Sequence, residues 1–185
     1  MSRSYRVFSE KHYAYFVTCT LVEWLPAFAT NAYRQIVLDS LAYIREHKRT
    51  QLNAFVIMAT HLHAVLFPEE GVNLSDVLRD FKRFTSRAIS EEAAQTGDHP
   101  LLDAFALARR HGRAQDTSQY QVWQEGSHPE AIYTPGFARQ KIEYIHNNPV
   151  RAGLVNLPEE WLYSSARAYL NGETTYPEVD ILEFG

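Results

Sequence analysis

The chain is poor in cysteine, in long apolar runs and in net positive charge, and each shortage narrows what it can be. Its one cysteine, Cys19, lies in an apolar strand-like run and has no internal partner for a disulfide, which points to a reducing, cytoplasmic setting. No run of about 18 apolar residues occurs, so no membrane span is expected. Met1 to Arg6 carries charges with no apolar stretch behind them, which argues against a signal peptide. Internal repeats and low-complexity tracts are absent. Lys and Arg total 18 against 22 Asp and Glu, a net charge of −4, whereas nucleic-acid binders usually present a basic surface that releases condensed counterions. At 185 residues the chain is long enough for a real core and short for two domains. The expectation is one domain over 1–185, with a core of about 12–155 and an extension over 156–185.

Two segments carry the chemistry. Gln51 to Phe67 is rich in Phe, Val, Ile and Leu, with no Gly or Pro before Pro68, and predicts one or two buried strands with a tight break near Ala59-Thr60. On a strand, residues two apart share a face, so His61 and His63 project together while Leu62 points into the core. Two imidazoles on one face can bind one cation. For an isolated His-x-His, a pair of histidines satisfied by hydrogen bonds is the favoured account.

Phe137 to Asn148 places apolar Phe137, Ile142 and Ile145 among polar Arg139, Gln140, Lys141 and Glu143, a helical pattern entered through Pro135-Gly136. Pro149 lacks an N–H and disfavours the α conformation at Asn148, so the helix is predicted to end there. Tyr144 and Asn148 are four apart and share a helical face. A tyrosine is a poor nucleophile at its free pKa of about 10, and a metal that draws charge from a phosphate removes much of that handicap. Asn148 offers an amide oxygen of the kind Mg or Mn prefers. The plainer account is an Asn-Pro turn with Tyr144 packed on the core, as most of the 11 tyrosines must be.

Local charge matters more than the total. Arg79, Lys82, Arg83 and Arg87 fall at helical spacing, interrupted by Asp80 nearby; His47-Lys48-Arg49 and Arg109-Arg110-His111-Gly112-Arg113 are further clusters. Much of the acid lies elsewhere, at Glu69-Glu70, Glu91-Glu92, Glu159-Glu160 and Glu178 to Glu183. Arg79, Lys82, Arg83, Arg87, Lys48 and Arg49 are therefore the candidate nucleic-acid contacts. His146 points away from Tyr144 and is assigned a structural or DNA-contact role, Lys141 and Glu143 are expected in solvent, and Trp123 is expected to pack in the core.

The hydrophobic pattern predicts a strand over His12 to Val22, a helix over Asn31 to His47 and strands over about Gln51–Met58 and His61–Phe67. A second helix, capped by Asn73, should reach about Ala93 with Leu74, Val77, Leu78, Phe81 and Phe84 inward. An irregular connector over Gly97 to Ser118 follows, with a helical turn around Leu101 to Arg110, then short strands at Tyr120–Trp123 and Ala131–Thr134. The order β-α-β-β-α-β predicts an α+β, ferredoxin-like sandwich with an antiparallel sheet and an extra C-terminal helix carrying Tyr144. The last dozen residues read as a loosely attached tail.

The runs YIHNNPVRAGLV and LPEEWLYSSARAYL, with IMATHLHAVLFPE and VLRDFKRFTSRAIS in the same order, resemble the single-tyrosine HUH transposases. They are most similar to the REP-associated tyrosine transposases related to the IS200/IS605 group. The similarity spans about Tyr13 to Leu170. It implies that Tyr144 is a nucleophile, that His61 and His63 bind a divalent metal (Mg or Mn), and that Asn148 matches a third ligand, which is Asn or Gln in the family. It further implies cleavage of single-stranded DNA beside an imperfect hairpin, through a 5′-phosphotyrosine and a free 3′-hydroxyl. Ala59-Thr60 departs from the Pro-Asn or Pro-Glu that the family commonly places before the first histidine, and residues 92–118 exceed what a compact member needs. Insertion-sequence relatives act as swapped dimers and REP-associated ones resemble monomers; the segment from Pro158 onward favours a monomer acting in cis. Two rival readings are a catalytically silent nucleic-acid-binding regulator of the same fold and a metal-water phosphodiesterase in which Tyr144 is structural.

Overall fold

A computed structural model describes residues 13–111 and 118–182; His12, Gly112, Arg113 and Glu183 fall outside them. Four strands make one antiparallel sheet: β1 (Ala14–Thr20), β2 (Thr50–Ile57), β3 (His61–Pro68) and β4 (Glu130–Ile132), in the order β2-β3-β1-β4. Helices α1 (Asn31–His47) and α2 (Leu74–Thr96) supply the crossovers, which gives the ferredoxin-like topology that the sequence predicts. Tyr15, Val17 and Cys19 face α1 and α2, as the alternation in the first strand requires. The stripe of α1 is buried at Tyr33, Val37, Ser40, Leu41 and Ile44. In α2 the Asn73 side chain caps by accepting from Ser75 N–H at 2.9 Å. Gly97 ends the helix in the left-handed region (φ 73°).

Helix α4 (Pro135–Arg151) covers the other face, which a bare ferredoxin-like sheet would leave to solvent. Its Ala138, Ile142 and Ile145 pack on Ala14, Ala54, Val56, Val65 and Ile132. A bulge at Asn53 steps the register between Leu52 and Ala54 and changes which residues face which layer. Leu52, Phe55 and Ile57 therefore face α1 and α2, while Ala54 and Val56 face α4.

Five expectations are corrected. Helix α4 does not stop at Asn148 but runs through Pro149 to Arg151. Pro149 is buried on the sheet-facing side and sits in the last turn, so it forfeits one ladder bond while keeping its packing. The stop is Gly153 (φ 71°): its N–H reaches Val150 O at 2.9 Å and Leu154 N–H reaches Pro149 O at 3.0 Å, a Schellman closure. Phe84 is 59% exposed because the inward row of α2 continues through Thr85 and Ile89 instead. Much of the expected connector is a full helix, α3 (His99–His111). Tyr120–Trp123 is no strand; Trp123 makes a single bridge to Leu21.

The fifth correction is the tail, which is docked through Leu182. Asp180 N–H donates to Leu52 O (2.8 Å), Asn53 Nδ2 donates to Asp180 O (2.8 Å), and Arg45 clasps the Asp180 carboxylate with two bonds of 3.1 Å. Upstream, Ile57 N–H donates to Tyr163 O (2.8 Å) and Ser165 N–H to Phe55 O (3.0 Å), just before α5 (Ala166–Asn171). The C-terminal segment thus covers the β2 edge, whose unpaired backbone groups would otherwise invite intermolecular pairing. Asp180→Ala removes both Arg45 bonds to this carboxylate, leaving Arg45 only its pair with Glu178 (3.2 Å), and is expected to lower stability by about 1–2 kcal/mol, read as a shift in the urea midpoint; an unchanged midpoint would mean that this clasp contributes nothing.

Candidate active site

The sheet positions the two histidines as a strand should. His61 and His63 share the α4 side of β3, with Leu62 in the opposite core layer, and their ring centroids are 4.7 Å apart. Each Nδ1 is held by a threonine hydroxyl. Thr18, directly across from His63 in the register, has its Oγ1 2.8 Å from His63 Nδ1, and Thr60 Oγ1 lies 2.9 Å from His61 Nδ1. With Nδ1–H donating to the hydroxyl, each Nε2 keeps its lone pair, the arrangement common behind metal-ligating imidazoles. Burial disfavours the charged form of both rings. His63, 6% exposed, is pushed down to about 3 by desolvation, with smaller contributions from His61 and Lys141, and His61 is lowered by desolvation. Both are therefore neutral near pH 7, as ligation requires.

Helix α4 brings Tyr144 to this pair. The Tyr144 ring meets His63 edge-on at 5.3 Å and Phe16 at 6.0 Å, while Phe16 stacks on His63 at 5.2 Å. Tyr144 remains 38% exposed, so its phenol can meet a substrate. Asn148 is half-buried one helical turn on, on the same face of α4. Among the described residues no three His, Cys, Asp or Glu side chains converge; Asn148 carries an amide oxygen on the helical face of Tyr144. Two neutral imidazoles suit borderline cations such as Fe or Zn, and an amide oxygen adds the harder donor that Mn or Mg takes.

Several contributors escaped sequence reasoning. Lys141 is not in solvent: its side chain is 19% exposed, pairs with Glu130, and places Nζ 4.5 Å from the Phe16 ring centroid and 5.0 Å from that of Phe137. Arg151 sits 5.7 Å from the Tyr144 ring. Thr18 could have been found from strand alternation opposite the His pair, but Lys141 has no local signal. Glu143 is exposed, as expected.

His146 proves structural. It is 5% exposed, its Nε2 lies 2.9 Å from Ser165 Oγ, and its ring packs on Tyr169 at 5.1 Å. Desolvation pushes its pKa down to about 4. The unfolded chain therefore takes up a proton near pH 6.5 that the folded one refuses until about pH 4. Stability from this group is full above 6.5 and falls as pH drops towards 4, by roughly 3 kcal/mol at most. His146→Gln should flatten that loss when urea midpoints at pH 7 and pH 4.5 are compared; equal acid sensitivity in both proteins would refute the assignment.

The cationic residues divide. Arg79, Lys82, Arg83 and Arg87 line one groove of about 1150 Å³ between α2 and residues 118–127, joined by Arg109, with Tyr120 and Trp123 on its wall. That makes five cations against the carboxylates of Glu91 and Glu125, a local excess on an acidic chain. Lys82 is committed to the carbonyls of Gln124 (3.2 Å) and Gly126 (2.6 Å) and so fixes the wall; Arg79 pairs with Asp76 and Arg87 with Glu91. Arg83 is exposed. Lys48 and Arg49 lie outside this groove, paired with Asp80 (2.9 Å) and Glu69 (3.0 Å). Trp123 is a core residue, donating to Thr85 Oγ1 at 2.9 Å and packed between Phe28 and Phe81.

The whole fold is similar to a solved structure, a REP-associated tyrosine transposase bound to a REP hairpin. The likeness has a TM-score of 0.62 at 20% identity and covers 100% of this chain and 95% of that one. A putative transposase from Deinococcus radiodurans R1 is similar at 14% identity and a TM-score of 0.46, over 80% of this chain and 97% of that one. The first likeness shows the shared fold. No protein-family model matches the chain, and no curated protein does.

Proposed function

We propose that the chain is a single-tyrosine nuclease and strand transferase of the HUH type, cutting and rejoining single-stranded DNA beside a hairpin. The observation that carries this is the meeting of Tyr144 with His63 at 5.3 Å and of His63 with His61 at 4.7 Å. A phenol beside two hydroxyl-oriented neutral imidazoles, with an amide one helical turn further on, has a joint use in phosphodiester transfer. The fold shared with a transposase that holds a REP hairpin supports the substrate class.

His61, His63 and Asn148 would hold a divalent cation, Mg or Mn, which supplies Lewis acidity toward the scissile phosphate. The Tyr144 oxygen attacks phosphorus; the bond from phosphorus to the 3′-oxygen breaks, the 3′-oxygen takes a proton, and the phenolic proton is lost to solvent. The products are a 5′-phosphotyrosine and a free 3′-hydroxyl. Attack by a 3′-hydroxyl on the adduct reverses the transfer and rejoins DNA with no external energy source. Arg151, beside the Tyr144 ring, would add positive charge close to the reacting phosphate, while Lys141 is balanced by Glu130. The basic groove along α2 carries the strand, since unpaired bases can splay while phosphates follow cations. The meeting of Tyr144 with His63 of its own chain supports a monomer acting in cis.

The test is an adduct assay. Labelled single-stranded hairpin DNA from beside the protein's own gene is incubated with the protein and Mn or Mg and run on a denaturing gel. A retarded band that a chelator prevents is expected. Binding with no adduct on any flanking hairpin would favour the silent regulator instead.

A further inference from the structure

Directly after β1 the chain enters a 3-10 turn, Val22–Trp24, in an unusual way. Glu23 (φ 50°, ψ 21°) and Trp24 (φ 53°) both occupy the left-handed region, and neither is glycine. Side chains with a Cβ resist that conformation, and strain of this kind persists where surrounding structure enforces it, commonly at functional sites. Here the enforcement is visible: Trp24 N–H donates to Leu21 O (3.2 Å), Leu25 N–H to Val22 O (3.0 Å) and Val22 N–H to Val122 O (2.9 Å). The turn leaves the Trp24 indole 60% exposed. A large amphipathic ring that could bury its surface is held out in water instead.

Its neighbours say what it serves. The indole stands edge-to-face with His61 at a centroid distance of 6.2 Å. Just before the turn, Gln124 of the basic groove's wall donates its backbone N–H to Thr20 O (2.8 Å) and its Nε2 to Leu21 O (3.3 Å). Trp24 therefore presents an exposed aromatic face directly beside the histidine pair, at the end of β1 that the groove's wall also holds. Resting on the function proposed above, we infer that Trp24 is a stacking platform for the unpaired base next to the scissile phosphate, holding that nucleotide splayed so that its phosphodiester faces Tyr144. Every base has a π-face, so such a platform fixes register without reading sequence.

Binding of single-stranded hairpin oligonucleotides is measured by fluorescence anisotropy in a Tyr144→Phe background, which removes cleavage. Trp24→Ala is expected to weaken binding about 10-fold and Trp24→Phe to restore most of it. A scan of single abasic sites should find one position, beside the phosphodiester cut in the adduct assay, where the Trp24-containing protein loses the same 10-fold and Trp24→Ala loses nothing more. That non-additivity is a signature that a merely structural tryptophan would not give. Unchanged binding in Trp24→Ala, or losses that add at every abasic position, would overturn the inference while leaving the Tyr144 adduct intact. A protein that bound no single-stranded DNA with Trp24 in place would overturn the functional reading and this inference with it.

Discussion

Tyr144→Phe is expected to lower the rate of adduct formation at least ~10⁴-fold, the scale seen when an enzyme loses its nucleophile, while DNA affinity stays within a few-fold. The structure makes this substitution a clean one. The ring's contacts with His63, Phe16 and Arg151 are aromatic and survive in phenylalanine. The site is partly exposed, so the fold should lose no more than about 0.5 kcal/mol. Single-turnover cleavage assays beside anisotropy separate the two quantities. Cleavage that persists in Tyr144→Phe would transfer the chemistry to a water nucleophile and make Tyr144 structural.

His63→Ala is expected to cost at least ~10³-fold in metal-dependent cleavage, because only one imidazole remains for the cation. A finer version tests the orientation of the ring. Thr18→Val keeps the shape of the side chain but deletes the hydroxyl 2.8 Å from His63 Nδ1. Losing such a supporting partner typically costs 10–100-fold in metal affinity, so the Mn concentration for half-maximal adduct should rise by about that factor, with the saturated rate nearly restored at excess Mn. If Thr18→Val behaves as wild type while His63→Ala is dead, the hydroxyl only satisfies a buried ring. If both behave as wild type, the pair is not a metal site.

Much of this was legible in the sequence, and the reasons differ by residue. Helix α1 has the predicted bounds, Asn31 to His47, because its stripe and its ends are local properties. His61 and His63 share a face because strand periodicity leaves no choice, and Tyr144 and Asn148 share one because helices repeat near four. The meeting of Tyr144 with His63 followed from the resemblance rather than from spacing. Misreadings arose where distant residues decide. Pro149 looked like a stop, yet its burial on the sheet and the Schellman closure at Gly153 move the end of α4. The tail looked loose because Asp180 finds Arg45 and the β2 edge only in the folded chain. Lys141 looked solvated because nothing nearby in sequence announces Phe16 beneath it. The left-handed turn at Glu23 and Trp24 carries no glycine to signal it.

The most direct measurement is the chemical identity of the adduct. After reaction with Mn and hairpin DNA, nuclease digestion leaves a short nucleotide remnant, and trypsin releases the peptide Ile142–Arg151, whose one hydroxyl side chain is Tyr144. Mass spectrometry should find the remnant joined through its 5′-phosphate to that peptide and to no other. A remnant on a different tyrosine, or DNA cut with the peptide unmodified throughout the time course, would contradict the account.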